Sequence, residues 1–93
     1  MKATKIRLKA GCSNAANPTL TEIAAIYVEG CNNPGFFKKE TLYDYLKENP
    51  KTIQVNIWPY PYLIPQMSKN QEKYVKSEAN SSGKDNLLCL PRV

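Results

Sequence analysis

No histidine occurs anywhere in the chain. With it goes the usual general base, so a Ser–His or Cys–His nucleophilic pair cannot be assembled within one chain. Cys12, Cys31 and Cys89 form an odd set without a CxxC spacing, and without histidine they complete no zinc site. The expectation is no catalytic residue, no metal and no cofactor, and a protein that is not an enzyme. Glycine is scarce as well: Gly11, Gly30, Gly35 and Gly83 are isolated, and none opens a helix after a strand as a phosphate-binding loop requires. Long apolar runs are also missing. The longest uncharged stretch, Thr52 to Ser68, contains Pro59, Pro61 and Pro65 and falls short of the ~20 apolar residues of a bilayer crossing, so no membrane is expected. Near the start, Lys5, Arg7 and Lys9 break every apolar run and leave no signal-peptide core. A reducing, cytoplasmic location follows, with the cysteines as small semi-apolar fillers. A Cys12–Cys31 disulfide is the alternative that an oxidising compartment would allow.

Acidic side chains are outnumbered, eight against thirteen basic ones, for a net charge of +5. That excess favours solubility and a polyanionic ligand but identifies no partner. Hydrophobic residues make up 42% of the chain and charged ones 23%, a globular balance rather than a disordered one. Ninety-three residues make one domain with one modest core.

Thr4, Ile6 and Leu8 alternate with Lys5, Arg7 and Lys9, the period of a strand with one buried and one wet face. A turn-rich loop, Gly11 to Pro18, follows. Thr21 to Glu29 reads as an inner strand, with Ala24, Ile26 and Val28 on one face and Ile23, Ala25 and Tyr27 on the other. The competing helix is disfavoured by its β-branched residues and by Gly30. Gly30 to Gly35 is a loop, and Lys39 to Asn49 a helix with Leu42, Tyr45 and Leu46 on its apolar stripe, stopped by Asn49-Pro50. Thr52 to Trp58 alternates again, with Ile53, Val55 and Ile57 inward. Tyr60 to Pro65 is irregular or edge-like, and Glu72 to Ala79 is a last strand. Asn80 to Gly83 turns the chain. Asp85 then caps a helical turn through Leu88, and Leu87, Leu88 and Leu90 anchor the end of the chain in the core. The sum is a small α+β domain: a mostly antiparallel sheet of four to five strands with one main helix packed on it.

The segment Tyr74-Val75-Lys76-Ser77, then Ala79-Asn80-Ser81, then Asp85-Asn86-Leu87-Leu88-Cys89-Leu90-Pro91-Arg92 resembles the C-terminal signature of a family of short bacterial proteins classed only as a domain of unknown function. Members there read Tyr-Leu-Arg-Thr, then Ala-Asp-Gly, then Asp-Asn-Leu-Leu-x-Leu-Pro-Arg. The spacing agrees without a gap, and the departures are Val75 for Leu, Lys76 for Arg, Ser77 for Thr, Asn80 for Asp and Ser81 for Gly. A looser likeness lies at Lys5-Ile6-Arg7-Leu8. The resemblance implies no activity, cofactor or catalytic residue. Its signature positions, Tyr74, Lys76, Asp85, Asn86, Leu87, Leu88, Leu90, Pro91 and Arg92, read as a capped turn with apolar anchors, a mark of fold rather than of a site.

Two surfaces remain. Lys5, Arg7 and Lys9 share a strand face, spaced about 6.7 Å apart by a rise of roughly 3.3 Å per residue, and Lys73 and Lys76 are candidates to extend that basic patch toward a nucleic acid. Lysines on the outer face of an edge strand also prevent sheet-to-sheet pairing, and that is sufficient reason for them. Trp58, Tyr60 and Tyr62 combine rings with stiffening prolines, the composition of a protein-interaction surface or a stacking platform for bases. Folding back over the small core is the competing use of those rings and the one favoured. Cys89, in an apolar run, is expected to be buried and inert. The sequence thus points to a non-catalytic binding or interaction module of unknown function, with a protein partner first and a weak, sequence-tolerant nucleic-acid binder as the alternative.

Overall fold

The computed structural model describes residues 1–11, 19–58, 60–78 and 86–93. Cys12 with its proposed bridge to Cys31, most of the loop to Pro18, Pro59, the turn Asn80 to Gly83 and the Asp85 cap lie outside the described residues. The chain runs β1 (Lys2–Leu8), a short 3-10 turn (Leu20–Glu22), β2 (Ile23–Glu29), β3 (Gly35–Lys38), α1 (Lys39–Glu48), β4 (Gln54–Val55), β5 (Leu63–Met67), β6 (Lys73–Ser77) and a second 3-10 turn (Asn86–Cys89).

A four-stranded sheet has the order β3-β2-β1-β4, and β5 and β6 form a separate pair. β1 with β2, β2 with β3 and β5 with β6 are antiparallel, while the two residues of β4 lie parallel to β1. This is the expected α+β class, with a mixed main sheet. One face of that sheet is buried: the rows Ala3–Val28, Ile6–Ile26 and Leu8–Ile23 pack with Leu42, Tyr43 and Leu46 of α1, Leu63 and Val75 of the β5–β6 pair, and Leu87 and Leu90. Helix and hairpin together form the second layer.

Two bulges set which residues face the core. Thr4 is the extra residue between the Ala3–Val28 and Lys5–Tyr27 pairs, and Ala24 is the extra residue between Leu8–Ile23 and Arg7–Ala25. An inserted residue resets the alternation beyond it. Hence Ala3 joins Ile6 and Leu8 inside, where Thr4 was expected. Ile23 joins Ile26 and Val28, where Ala24 was expected. Thr4 itself keeps a buried hydroxyl without a hydrogen-bond partner.

β1 is not an edge strand. Its first half bonds to β4, with Asn56 N donating to Ala3 O at 2.9 Å. Its second half bonds to the end of the chain, where Ile6 N donates to Pro91 O at 2.9 Å and Val93 N to Ile6 O at 3.0 Å. Leu87 and Leu90 hold that closing segment in the core, so its apolar anchors do what the sequence assigns them. Cys89 faces outward instead of filling the core, because in this turn the apolar positions are Leu87 and Leu90. Cys31 is half-buried, its Sγ 3.8 Å from Val28 O.

On α1 the buried stripe is Lys39, Leu42, Tyr43 and Leu46, at i, i+3, i+4 and i+7. Tyr43 is 8% exposed and Tyr45 39%, so Tyr45, expected on the apolar stripe, faces outward and Tyr43 takes its place. Lys39, 3% exposed, is an internal cation: its Nζ donates to Thr21 O at 2.7 Å and to the Glu72 carboxylate. Lys9 Nζ reaches the same Glu72 oxygen at 2.7 Å. Hydrogen bonds from Lys39 first, then Lys9, hold the Glu72 carboxyl at about 2 rather than 4.5. This trio ties the end of β1, the start of α1 and the β5–β6 turn together.

Candidate nucleic-acid interface

Residues paired across a sheet point to the same face, so the register gives the outer surface directly. Lys5, Tyr27 and Phe36 form one row across β1, β2 and β3; Arg7, Ala25 and Lys38 form the next; Lys2 stands opposite Glu29. Among the described residues no element of the second layer lies among these rows, and the core cluster is built from the alternate, inward residues, although Ala25 on the outward side is itself buried. The outer face therefore carries four cations, Lys2, Lys5, Arg7 and Lys38, against the single carboxylate Glu29 among the described residues of these strands.

The cations and rings interleave. Arg7 lies 4.0 Å from the Phe36 ring centre, Lys5 Nζ 5.0 Å from that of Tyr27 and Lys2 Nζ 4.7 Å from that of Tyr60. Tyr27 and Phe36 meet edge to face at 5.1 Å and 82°. Each exposed cation–π contact contributes about 0.5–1 kcal/mol, enough to order the side chains and too little to fix them against a ligand. Beside β4 the turn Ile57 to Tyr60 closes with Tyr60 N donating to Ile57 O at 2.7 Å, and Gln54 Nε2 donates to Tyr60 O at 3.1 Å. Tyr60 is held in the left-handed region at φ 60°, an unfavourable geometry for a bulky residue. The turn leaves Trp58 79% exposed and Tyr60 41% exposed, so neither ring folds back over the core as expected. Tyr62 is half-buried and bridges to Gln54.

The structure divides the five basic residues read from the sequence. Lys5 and Arg7 stand together on the outer face. Lys9 turns to Glu72. Lys73 donates to Asp44 at 2.9 Å, which holds its ammonium charged to higher pH than usual, and Lys76 lies on β6; both belong to the second layer. Lys2, Tyr27, Phe36, Lys38 and Tyr60 complete the face. Of these, Phe36 and Lys38 were hidden in a four-residue strand that runs into α1 without a breaker. Tyr27 was legible only as one side of an inner strand. Among the signature positions, Tyr74 pairs with Gln66 and Lys76 with Ile64 along β6, while Leu88 packs on the core and Pro91 and Arg92 pair with β1. They build the fold.

Among the described residues no helix is long and apolar enough to cross a membrane, and no three Cys, Asp or Glu side chains gather as a metal site. No curated protein matches the chain, and no solved structure does. The model of the family described as Protein of unknown function (DUF3892) matches residues 2–91, and the chain belongs to that family.

Proposed function

We propose that the protein is a non-catalytic binding module that takes single-stranded nucleic acid, without sequence preference, on the outer face of its main sheet. The observation that carries this reading is the pair of rows Lys5–Tyr27–Phe36 and Arg7–Ala25–Lys38, which sets three exposed cations beside two half-buried rings on the outward side of the sheet. Edge protection does not account for Lys5 and Arg7, because β1 is bonded along both sides. Single-strand binders combine a cationic track for phosphates with rings on which bases stack, and each stacked base contributes about 1–3 kcal/mol. That exceeds the ~0.5–1 kcal/mol of the cation–π contact it replaces. The lysine ammonium can swing on its flexible stem to a phosphate as the ring takes a base, and the Arg7 guanidinium offers its own plane for stacking. The likeness of the closing segment to a bacterial signature supports a bacterial setting.

Trp58, at the tip of its turn, favours a second reading, in which it anchors a protein partner. Fluorescence anisotropy with a mixed-sequence labelled single strand separates the two. The nucleic-acid reading expects micromolar binding that weakens with salt and at least tenfold with the triple change Lys5→Ala, Arg7→Ala and Lys38→Ala, while Lys69→Ala in the β5–β6 turn leaves it unchanged. Absence of binding at low salt would retire it in favour of the Trp58 surface.

A further inference from the structure

The outer rows do not stop at β1. Lys2 pairs with Gln54 of β4, and Gln54 in turn bridges to Tyr62. Val55 N donates to Pro61 O and Leu63 N to Ile53 O, each at 2.8 Å, on either side of that bridge. Residues opposite one another share a face, so one outward row runs Glu29–Lys2–Gln54–Tyr62, from β2 to beyond β4. The turn joining the two sides of the bridge carries Trp58 and Tyr60, and the Tyr60 ring comes back to this row, 4.7 Å from Lys2 Nζ. The fold alone does not call for such rings. A φ of 60° at position 60 favours glycine or asparagine, and Trp58 is the most exposed large apolar side chain among the described residues. A bulky residue kept in an unfavourable geometry points to a use outside the core.

Resting on the nucleic-acid reading above, we propose that the bound single strand lies across the β-strands rather than along them, and that Trp58 is its outermost stacking residue. Along β1 a nucleic acid meets Lys2, Lys5 and Arg7 but no ring. Across the sheet it meets Phe36 and Tyr27 at one end, Lys5 and Lys2 midway, and Tyr60 and Trp58 at the other. Only the second path sets stacking surfaces on both sides of the cations, the combination that sequence-tolerant single-strand binding uses. Lys2, shared between the sheet and the turn, makes the two halves continuous. The path also fixes a length. From β3 to the segment at Tyr62 there are four inter-strand gaps of about 4.8 Å, or about 19 Å. That is about six nucleotides at the ~3.4 Å spacing of a stacked strand and about four when the strand is drawn out, at the short end of the ~4–16 nucleotides of known single-strand sites.

Trp58 is the sole tryptophan of the chain, so emission excited beyond the tyrosine absorption reports its environment alone. Titration of the full chain with an unlabelled mixed-sequence single strand should quench that emission, with the same midpoint that anisotropy gives for the labelled strand. Affinity should rise steeply from a trimer to a hexamer and only gradually from there to a dodecamer. Trp58→Ala should weaken hexamer binding about five- to a hundredfold, the loss of one stacked base, and Trp58→Phe, which keeps a ring, should restore most of it. Both are surface changes and should leave the melting temperature in place. Binding by anisotropy with Trp58 emission unchanged, with Trp58→Ala neutral or with trimer and hexamer equally tight would overturn the crosswise path, leave the sheet-face reading standing and return Trp58 to a protein partner. Failure of every strand to bind at low salt would overturn both.

Discussion

Glu72 shows how much of this fold depends on one exposed-looking charge. Its carboxylate accepts from the buried Lys39 and from Lys9, so removing it strands an internal ammonium with only Thr21 O for company. An unpaired internal charge is the costly case. Glu72→Gln should therefore lower the melting temperature at neutral pH, and the pH dependence of that loss is specific. The carboxyl ionises at about 2 in the folded chain against 4.5 ordinarily, so the unfolded state binds the proton first as pH falls. The stabilisation is whole above about 4.5 and is lost as pH falls toward 2. Melting curves of wild type and Glu72→Gln should lie apart and parallel from pH 7 to 5, then converge over the acid window; a constant gap down to pH 2 would show that the trio contributes no linked proton. None of this was legible in the sequence, where Lys39 and Glu72 are two charged letters among many in polar surroundings and a buried lysine has no pattern of its own.

At the scale of elements, periodicity carried far. The strand Lys2–Leu8, the helix Lys39–Glu48, the strand Lys73–Ser77 and the anchored Leu87 and Leu90 all follow from alternation, from a 3.6-residue stripe or from turn chemistry. What it missed has identifiable causes. The bulges at Thr4 and Ala24 insert one residue each, and a period of two then exchanges inside for outside within a single strand. β3 has four residues, Gly35–Lys38, too short for alternation to register, and joins α1 directly. On α1 itself, Tyr43 and Tyr45 fit apolar stripes almost equally well, and only the position of the hairpin decides between them. The decision is measurable. Tyr43→Ala removes a buried ring and should cost about 3 kcal/mol or more in urea unfolding, while Tyr45→Ala, at a surface position, should cost under about 1 kcal/mol. Equal costs would mean that the helix is rotated from the orientation described.

For the molecule as a whole, the disposition of charge matters more than its sum. A net charge of +5 is modest, yet most carboxylates among the described residues are engaged away from the outer face: Asp44 and Glu48 lie on α1, Glu22 bonds Thr19, Glu72 holds Lys9 and Lys39, and Glu78 accepts from Tyr62 N, while Glu40 stands near Arg7 and Lys38. Lys2, Lys5, Arg7 and Lys38 are left facing Glu29 alone among the described residues of the outer rows. Such segregation turns a weak net charge into a directed field, and it makes the contributions of cations and rings separable. On a single strand the slope of log affinity against log salt is about −0.7 per phosphate neutralised, so four outer cations predict a slope near −3. Lys5→Ala should make it shallower by about 0.7, with a corresponding loss of affinity at low salt. Tyr27→Leu keeps an apolar side chain in the row but removes the stacking surface; it should lower affinity by about 1–3 kcal/mol with the slope unchanged. If both substitutions shift the slope alike, the rings serve only to position the cations; if neither does, the strand lies elsewhere on the molecule.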